Sequence, residues 1–296
     1  MHSNKGYRGR FAPSPTGSLH FGSLLTAVAS YTQARQQNGC WLIRIEDLDR
    51  TREIKGSASE ILRDLAAFGM QSDEPVLYQS NRDDAYQQAL LHLQNQGLVF
   101  ACRCSRKQLK GQQVYPGTCE RAKLDDEPQI ALRIRAPQIN TPLNQVTFID
   151  QVQGRLEQNI ATQCGAFVIR RADQLFAYQL AVVVDDATQG VTEVVRGCDL
   201  LDSTPRQIYL QQLLNFELPD YLHLPLAVDA HGVKLSKQLA SVAVDANRPL
   251  DSLIRAWHFL NQTHLPGWIK SVNDFWRWAP GQWQIQSIPK VQQICI

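Results

Sequence analysis

Pro13-Ser14-Pro15-Thr16-Gly17-Ser18-Leu19-His20-Phe21-Gly22-Ser23 separates a strand-like segment from a helix-like one. Before it, residues 7–12 read as a short strand. After it, residues 20–37 carry Leu24, Leu25, Val28 and Tyr31 at helical spacing, with Gly39 just past the end. Trp41 to Ile45 is the next strand and runs into the acidic cluster Glu46-Asp47-Leu48-Asp49. Strand, glycine-bearing loop, helix and strand in under fifty residues make a βαβ unit with a right-handed crossover. The expected fold class is therefore α/β with a parallel sheet.

A helix that opens straight after such a loop offers free N–H groups and a positive dipole end, which suits a phosphate. Gly17 and Gly22 allow close approach of backbone to a nucleotide. His20, in the first turn, places an N–H donor at the same anion. Taken alone, the stretch also reads as a tight strand-to-helix connection with an incidental histidine.

Further along, Ser57-Ala58-Ser59-Glu60 and Ser80-Asn81-Arg82-Asp83 read as capping boxes opening two more helices, the second closed by Gly97. The pattern breaks between about 100 and 150, a Gly/Pro/Lys/Arg-rich segment read as an insertion that includes the alternating strand Ile130 to Arg135. Strands are expected again at Phe167–Arg170, Phe176–Val184 and Val191–Arg196. Ser203-Thr204-Pro205 opens a helix reaching about Phe216, with proline in the first turn where its missing N–H costs nothing. Leu224 to Leu235 reads as a hairpin turning at Asp229-Ala230-His231-Gly232. The last fifty residues read as short helices carrying five of the six tryptophans. The expected division is 1–100 and 151–238 as two halves of one α/β domain, 101–150 as the insertion and 239–296 as a short helical region.

The 296 residues suffice for one large α/β domain with an appendage, or two modest domains. Hydrophobic content of 44% and charged content of 20% are those of an ordinary globular chain. No apolar run approaches the roughly 20 residues of a membrane span. The polar, basic start has no apolar core behind it and does not read as a secretory signal, so a cytoplasmic location is expected. A net charge of +2 permits a nucleic-acid partner through a local patch without demanding one.

The seven cysteines do not suggest a disulfide framework in a chain with its own core. Three of them cluster as Cys102-Arg103-Cys104, fourteen residues, Cys119. That arrangement suits one structural Zn²⁺ ion short of its fourth ligand; unliganded thiols are the alternative. At the other end of the chain, Lys234-Leu235-Ser236-Lys237-Gln238 sets two lysines beside a hydroxyl. Alone, such a run is usually a solvated face.

Together, His20-Phe21-Gly22-Ser23 and Lys234-Leu235-Ser236-Lys237-Gln238 resemble the HIGH and KMSKS motifs of class I aminoacyl-tRNA synthetases, with Ser23 in place of the last histidine. Arg10-Phe11-Ala12-Pro13-Ser14-Pro15-Thr16-Gly17 adds to the likeness, as do Arg44-Ile45-Glu46-Asp47-Leu48-Asp49, Tyr178-Gln179-Leu180-Ala181 with Asp185-Asp186, and Val195-Arg196-Gly197-Cys198-Asp199-Leu200. These narrow the resemblance to glutamyl-tRNA synthetases over residues 10–238. The resemblance implies a Rossmann-like catalytic domain that activates glutamate with ATP and Mg²⁺, His20 and Lys237 being catalytic. Gly17, His20, Gly22, Lys234, Ser236 and Lys237 would hold ATP, and the Arg10-Phe11-Ala12-Pro13-Ser14 run with Glu46, Tyr178 and Arg196 would hold glutamate. Within that set, Arg10 and Arg196 should face the side-chain carboxylate, because guanidinium forks match it. Glu46 and Ser14 should take the ammonium. The resemblance also places Tyr115 as the fourth zinc ligand beside Cys102, Cys104 and Cys119.

Only 58 residues follow Gln238, too few for the usual anticodon-binding domain. On that count the chain is similar to the truncated paralogues that transfer glutamate to queuosine in tRNA(Asp); no membrane partner is expected for it, and a monomer is. A short synthetase charging an acceptor end and a non-catalytic tRNA-binding module are the alternatives.

Overall fold

The computed structural model describes residues 6–122, 130–233 and 244–296. Strand β1 (Arg8–Phe11), helix α1 (Phe21–Gln36) and strand β2 (Cys40–Ile45) form the expected unit, with β1 and β2 parallel and Arg10 opposite Leu42. Strand β3 (Leu77–Tyr78) adds to the outer edge of β2, again parallel. Trp41 through Ile45 are all buried, as expected for a parallel strand covered on both faces. Helix α1 shows almost no amphipathic stripe because it is buried nearly all round. One side meets the sheet, and the other meets α7 (Pro249–Phe259) and α8 (Val272–Gln282). Gly39 has to be glycine: a Cβ there would sit 2.4 Å from the Tyr7 carbonyl oxygen.

A second sheet runs in the order β7 (Gly154–Asn159), β6 (Gln145–Asp150), β10 (Asp220–Leu224), β9 (Glu193–Gly197). Its β6, β10 and β9 are parallel, and β7 returns antiparallel. The two sheets meet where β1 lies beside β9: Thr192 donates its backbone N–H to the Arg8 carbonyl at 2.9 Å, and the Thr192 hydroxyl accepts the Arg8 N–H at 2.9 Å. Chain order reverses at this seam, which in open α/β sheets is where ligands bind, off the carboxyl ends of the strands. A smaller antiparallel sheet of β4 (Val99–Cys102), β5 (Ala131–Ile134) and β8 (Phe167–Arg170) packs to one side with α3 (Asp83–Asn95), α5 (Tyr178–Thr188) and α6 (Thr204–Leu213).

Three local expectations are corrected. Phe176–Val184 is not a strand: Phe176 makes a single bridge to Arg170, and the chain then enters helix α5. Leu180 to Asp186 are all buried, so neither a helical nor an alternating period shows in the sequence. Neither capping box forms. Helix α2 (Ser57–Ala67) starts after Gly56, and the Ser57 hydroxyl bonds across the fold to the Gly17 carbonyl at 2.6 Å. Ser80 donates its hydroxyl to Asp47 at 2.6 Å instead of capping α3. Both serines thus fasten loops around the cleft, a tertiary use of the same short polar side chain. A turn forms at Asp229 to Val233, and the strand before it, β11 (Leu226–Val228), pairs in parallel with β12 (Gln293–Cys295). The predicted return strand at 234–235 lies outside the described residues.

The tryptophans of the last fifty residues mostly serve packing. Trp257 and Trp283 are buried in the same core as Leu24 and Trp41. Trp276 donates its indole N–H to the Phe68 carbonyl at 2.7 Å, and Trp283 donates to the Gln33 side chain at 2.7 Å. These two bonds tie α8 and the chain after it to α2 and α1.

Candidate active site

A cleft of about 1290 Å³ opens over the carboxyl ends of β1, β2, β9 and β10. Arg10, Phe11, Ala12, Pro13, Ser14, Gly17, His20, Gly22, Glu46, Tyr178 and Arg196 all line it. Every predicted glutamate or nucleotide residue in the described part of the chain therefore reaches one space. Lys234, Ser236 and Lys237 lie outside the described residues.

At one end of the cleft, His20 is the N-cap of α1 and accepts the Ser23 backbone N–H on Nδ1 at 3.1 Å. A neutral ring bonded in this way carries its proton on Nε2, which lies 3.0 Å from the Ser23 hydroxyl. Ser23, which departs from the HIGH pattern, thus sets the tautomer and angle of His20. Gly22 belongs to the same device, because a Cβ there would press on the imidazole at 3.3 Å. Gly17 sits at φ +147°, a conformation open to glycine, and donates its N–H to Ser57 at 3.1 Å.

At the other end stand buried charges. Arg10 donates from Nε to Asp186 at 3.0 Å and from Nη1 to the Val195 carbonyl at 3.4 Å. Arg44, fully buried, donates from Nη1 to the same Asp186 oxygen at 2.7 Å and from Nη2 to Glu46 at 3.4 Å. Burial pushes the Asp186 carboxyl up, but the two guanidinium groups more than offset it and hold it below its ordinary value. Burial pushes Glu46 up, and Arg44 and Arg10 only partly counter it. Asp185, its neighbour in sequence, turns the other way and takes Gln79, Arg82 and Tyr86 at 2.8, 3.1 and 2.7 Å. The Asp-Asp pair is thus two hubs, one behind the cleft and one locking α3 onto α5. Arg44 and Asp186 were legible only as members of a motif; their work of holding Arg10 and Glu46 had no signal in the sequence.

Arg196 is buried as well. It donates from Nε to His223 at 3.0 Å, from Nη2 to Thr204 at 2.8 Å and from Nη1 to the Tyr178 hydroxyl at 3.4 Å. Arg10 and Arg196 each present remaining N–H groups to the cleft while their other donors are pinned behind. Two fixed guanidinium groups converging on one space suit a carboxylate.

The cysteine cluster lies apart, and none of its members lines the cleft. The sulfurs of Cys102, Cys104 and Cys119 lie within 4.8 Å of one another. The Tyr115 hydroxyl stands 3.5 Å from Cys102 Sγ and 3.7 Å from Cys104 Sγ. Thiolates on a tetrahedral zinc ion, at about 2.3 Å each, sit about 3.8 Å apart, so the donor set fits. Burial pushes the Cys119 thiol up, but hydrogen bonds from Tyr115, a backbone N–H and its two partner thiols bring it down to about 7. Bound there, zinc would supply a cross-link between β4 and α4 (Thr118–Ala122). The parent chain is expected to bind one equivalent of zinc and Cys119→Ser none, with the thermal midpoint of the variant lower by about 5 °C or more and the glutamate KM within a few-fold. Metal analysis and a melting curve test this; zinc retained in that variant would remove Cys119 from the ligand set.

Residues 7–270 match the family of class I tRNA synthetases (E and Q), catalytic domain. The chain belongs to that family and is a synthetase-type enzyme. It is 48% identical over 303 aligned positions to the glutamyl-Q tRNA(Asp) synthetase of Dechloromonas aromatica, an alignment covering 99% of each chain. It is 50% identical to the enzyme of that name from Burkholderia cenocepacia, over 95% of this chain and 97% of the relative. Among solved structures, the glutamate-tRNA synthetase of Elizabethkingia anophelis superposes with a TM-score of 0.81 at 22% identity, covering 97% of this chain and 67% of that one. That likeness is one of fold.

Proposed function

We propose that this enzyme activates L-glutamate with ATP, without tRNA, and transfers the glutamyl group to the cyclopentenediol of queuosine at the wobble position of tRNA(Asp). The observation that carries the first half is the pair of buried guanidinium groups, Arg10 and Arg196, in the same cleft as His20 at a helix start. The second half is supported by relatives of matching length that carry the name glutamyl-Q tRNA(Asp) synthetase.

In the first step, a carboxylate oxygen of the glutamate α-carboxyl attacks the α-phosphorus of ATP. The bond from that phosphorus to the bridging oxygen breaks, and pyrophosphate leaves. The nucleophile is already an anion, so the protein positions it and stabilises charge without supplying a base. His20 Nε2–H and the first N–H groups of α1 would face the phosphates, and Mg²⁺ would add charge neutralisation there. Lys234, Ser236 and Lys237 are proposed as the remaining phosphate ligands. Arg10 and Arg196 would clamp the side-chain carboxylate, while Ser14 and Glu46 would take the ammonium. In the second step a queuosine hydroxyl attacks the acyl carbon, AMP departs and the hydroxyl proton is released. Cys102, Cys104, Tyr115 and Cys119 would hold one structural zinc ion.

Glu46 must be ionised to hold an ammonium, and burial has raised its pKa. Affinity for glutamate is therefore expected to be full above that raised value and to fall as pH drops through it, beginning above the ordinary carboxylate value of about 4.3. Pyrophosphate exchange measured against pH should show this fall in 1/KM for glutamate, and Glu46→Gln should be weak and flat. An equally steep profile in that variant would assign the titration elsewhere.

The test of the function is labelled glutamate, ATP and Mg²⁺ with bulk tRNA from cells that make or lack queuosine. Label is expected only in the queuosine-bearing pool. Equal labelling of both pools would mean acceptor-end charging, and no glutamate-dependent pyrophosphate exchange would remove both catalytic readings.

A further inference from the structure

Behind Arg196 lies a chain of buried polar groups that do not themselves line the cleft. His223, next to the carboxyl end of β10, and Asp150, at the end of β6, are both essentially without solvent exposure. His223 Nδ1 is 2.6 Å from Asp150 Oδ2, and its Nε2 receives the Arg196 Nε–H at 3.0 Å. Asp150 is itself fixed: it accepts the backbone N–H groups of Val152 at 3.0 Å, Gln153 at 2.8 Å and His223 at 3.1 Å.

The direction of this chain follows from what each group can do. A guanidinium has five donors and no acceptor, so His223 Nε2 must offer a lone pair to Arg196. The imidazole proton is then on Nδ1 and goes to the carboxylate of Asp150. Burial holds the ring below the usual histidine range and so keeps the Nε2 lone pair in place. Thr204 closes the arrangement, taking Arg196 Nη2 at 2.8 Å and lying 3.2 Å from His223 Nε2. With Nε and one Nη2 proton held from behind, the guanidinium plane has one orientation, and the Nη1 edge is the one turned to Tyr178 and the cleft.

We propose that His223, set in one tautomer by Asp150, is the positioning residue that aims Arg196 at the substrate carboxylate, and so contributes to selection of an acidic amino acid over its neutral amide. This rests on the reading of Arg196 as a glutamate ligand. A carboxylate accepts a fork of two parallel N–H bonds only when the plane is right, so losing the aim weakens glutamate more than it weakens ATP.

The test is tRNA-independent pyrophosphate exchange with the full chain and four variants. His223→Leu removes the acceptor for Arg196. His223→Gln keeps an acceptor near the Nε2 position, and His223→Asn reaches only the Nδ1 position. Arg196→Ala reports on the underlying reading. His223→Leu is expected to raise the glutamate KM about tenfold or more, with the ATP KM within twofold. Preference for glutamate over glutamine should fall with it, and His223→Gln should recover most of both. Where the leucine variant is not recovered folded, His223→Asn carries the same expectation. A glutamate KM unchanged in His223→Leu and His223→Asn, while Arg196→Ala raises it, overturns the positioning role alone. Glutamate and ATP KM rising in parallel in the His223 variants does so too, marking a merely structural residue. An unchanged glutamate KM in Arg196→Ala overturns the reading beneath it.

Discussion

Arg196→Ala is expected to raise the glutamate KM for pyrophosphate exchange by about two to three orders of magnitude, with the ATP KM within a few-fold. The side chain is buried, and three protein groups already take its other donors. A carboxylate arriving in the cleft therefore meets a guanidinium that needs no ordering. Truncating one partner of such a desolvated, charge-assisted contact costs about 2–5 kcal/mol, much of it the penalty of leaving the other charge unpaired. The loss is expected on glutamate and not on ATP, because the end of the cleft proposed for the nucleotide is built on α1 and the Pro13 to Ser23 loop. Glutamine, having no charge to leave unpaired, should lose little, so discrimination between the two should collapse. Steady-state exchange with each amino acid measures this. An Arg196→Ala enzyme that still prefers glutamate would place the selective contact on Arg10 alone.

His20→Ala should act on the other parameter. Its Nε2, which lies 3.0 Å from the Ser23 hydroxyl and beside the space that Gly22 leaves open, is proposed as the donor that meets charge building on the phosphates. Losing one such donor costs about 3–4 kcal/mol in the transition state, a fall in kcat of about a hundredfold to a thousandfold with KM values little changed. The same substitution removes the N-cap of α1, worth about 1 kcal/mol of stability. His20→Asn separates the two roles, since asparagine caps well but falls short of the imidazole's reach. If His20→Asn restores both stability and kcat, the histidine serves the helix and not the chemistry.

Much of this cleft could be read without coordinates, and the reasons are specific. The Pro13 to Ser23 stretch announces itself because a glycine-bearing loop, a helix period and a flanking strand are all local patterns. The eleven residues expected to bind substrates, among those described, do meet in one cleft, since four strand ends at a sheet seam bring β1, β2, β9 and β10 together. Where the reading failed, the partner was distant. Ser57 and Ser80 have the spacing of helix caps, yet each finds a better acceptor on a loop 40 and 33 residues away. Tyr178 to Asp186 shows no period because the helix is buried on every side. Leu226 to Val228 pairs in parallel with Gln293 to Cys295, a partner far along the chain that no local pattern announces.

What the amino-acid order determined by itself is the set of groups whose significance is local: the helix start with His20, the glycines that let backbone close on it, and the cysteine spacing that groups three thiols. Tertiary structure alone decided which buried charges answer one another. Asp186 serves Arg10 and Arg44 while Asp185 serves Arg82, although the two carboxylates are adjacent in the chain and chemically identical. Asp150 and His223 are 73 residues apart and form no motif, yet the parallel pairing of β6 with β10 sets them 2.6 Å apart behind Arg196. The physical reason is that a periodic pattern records only which face of an element is dry. An ionised group taken out of water must find its counter-charge wherever the order of strands happens to put one.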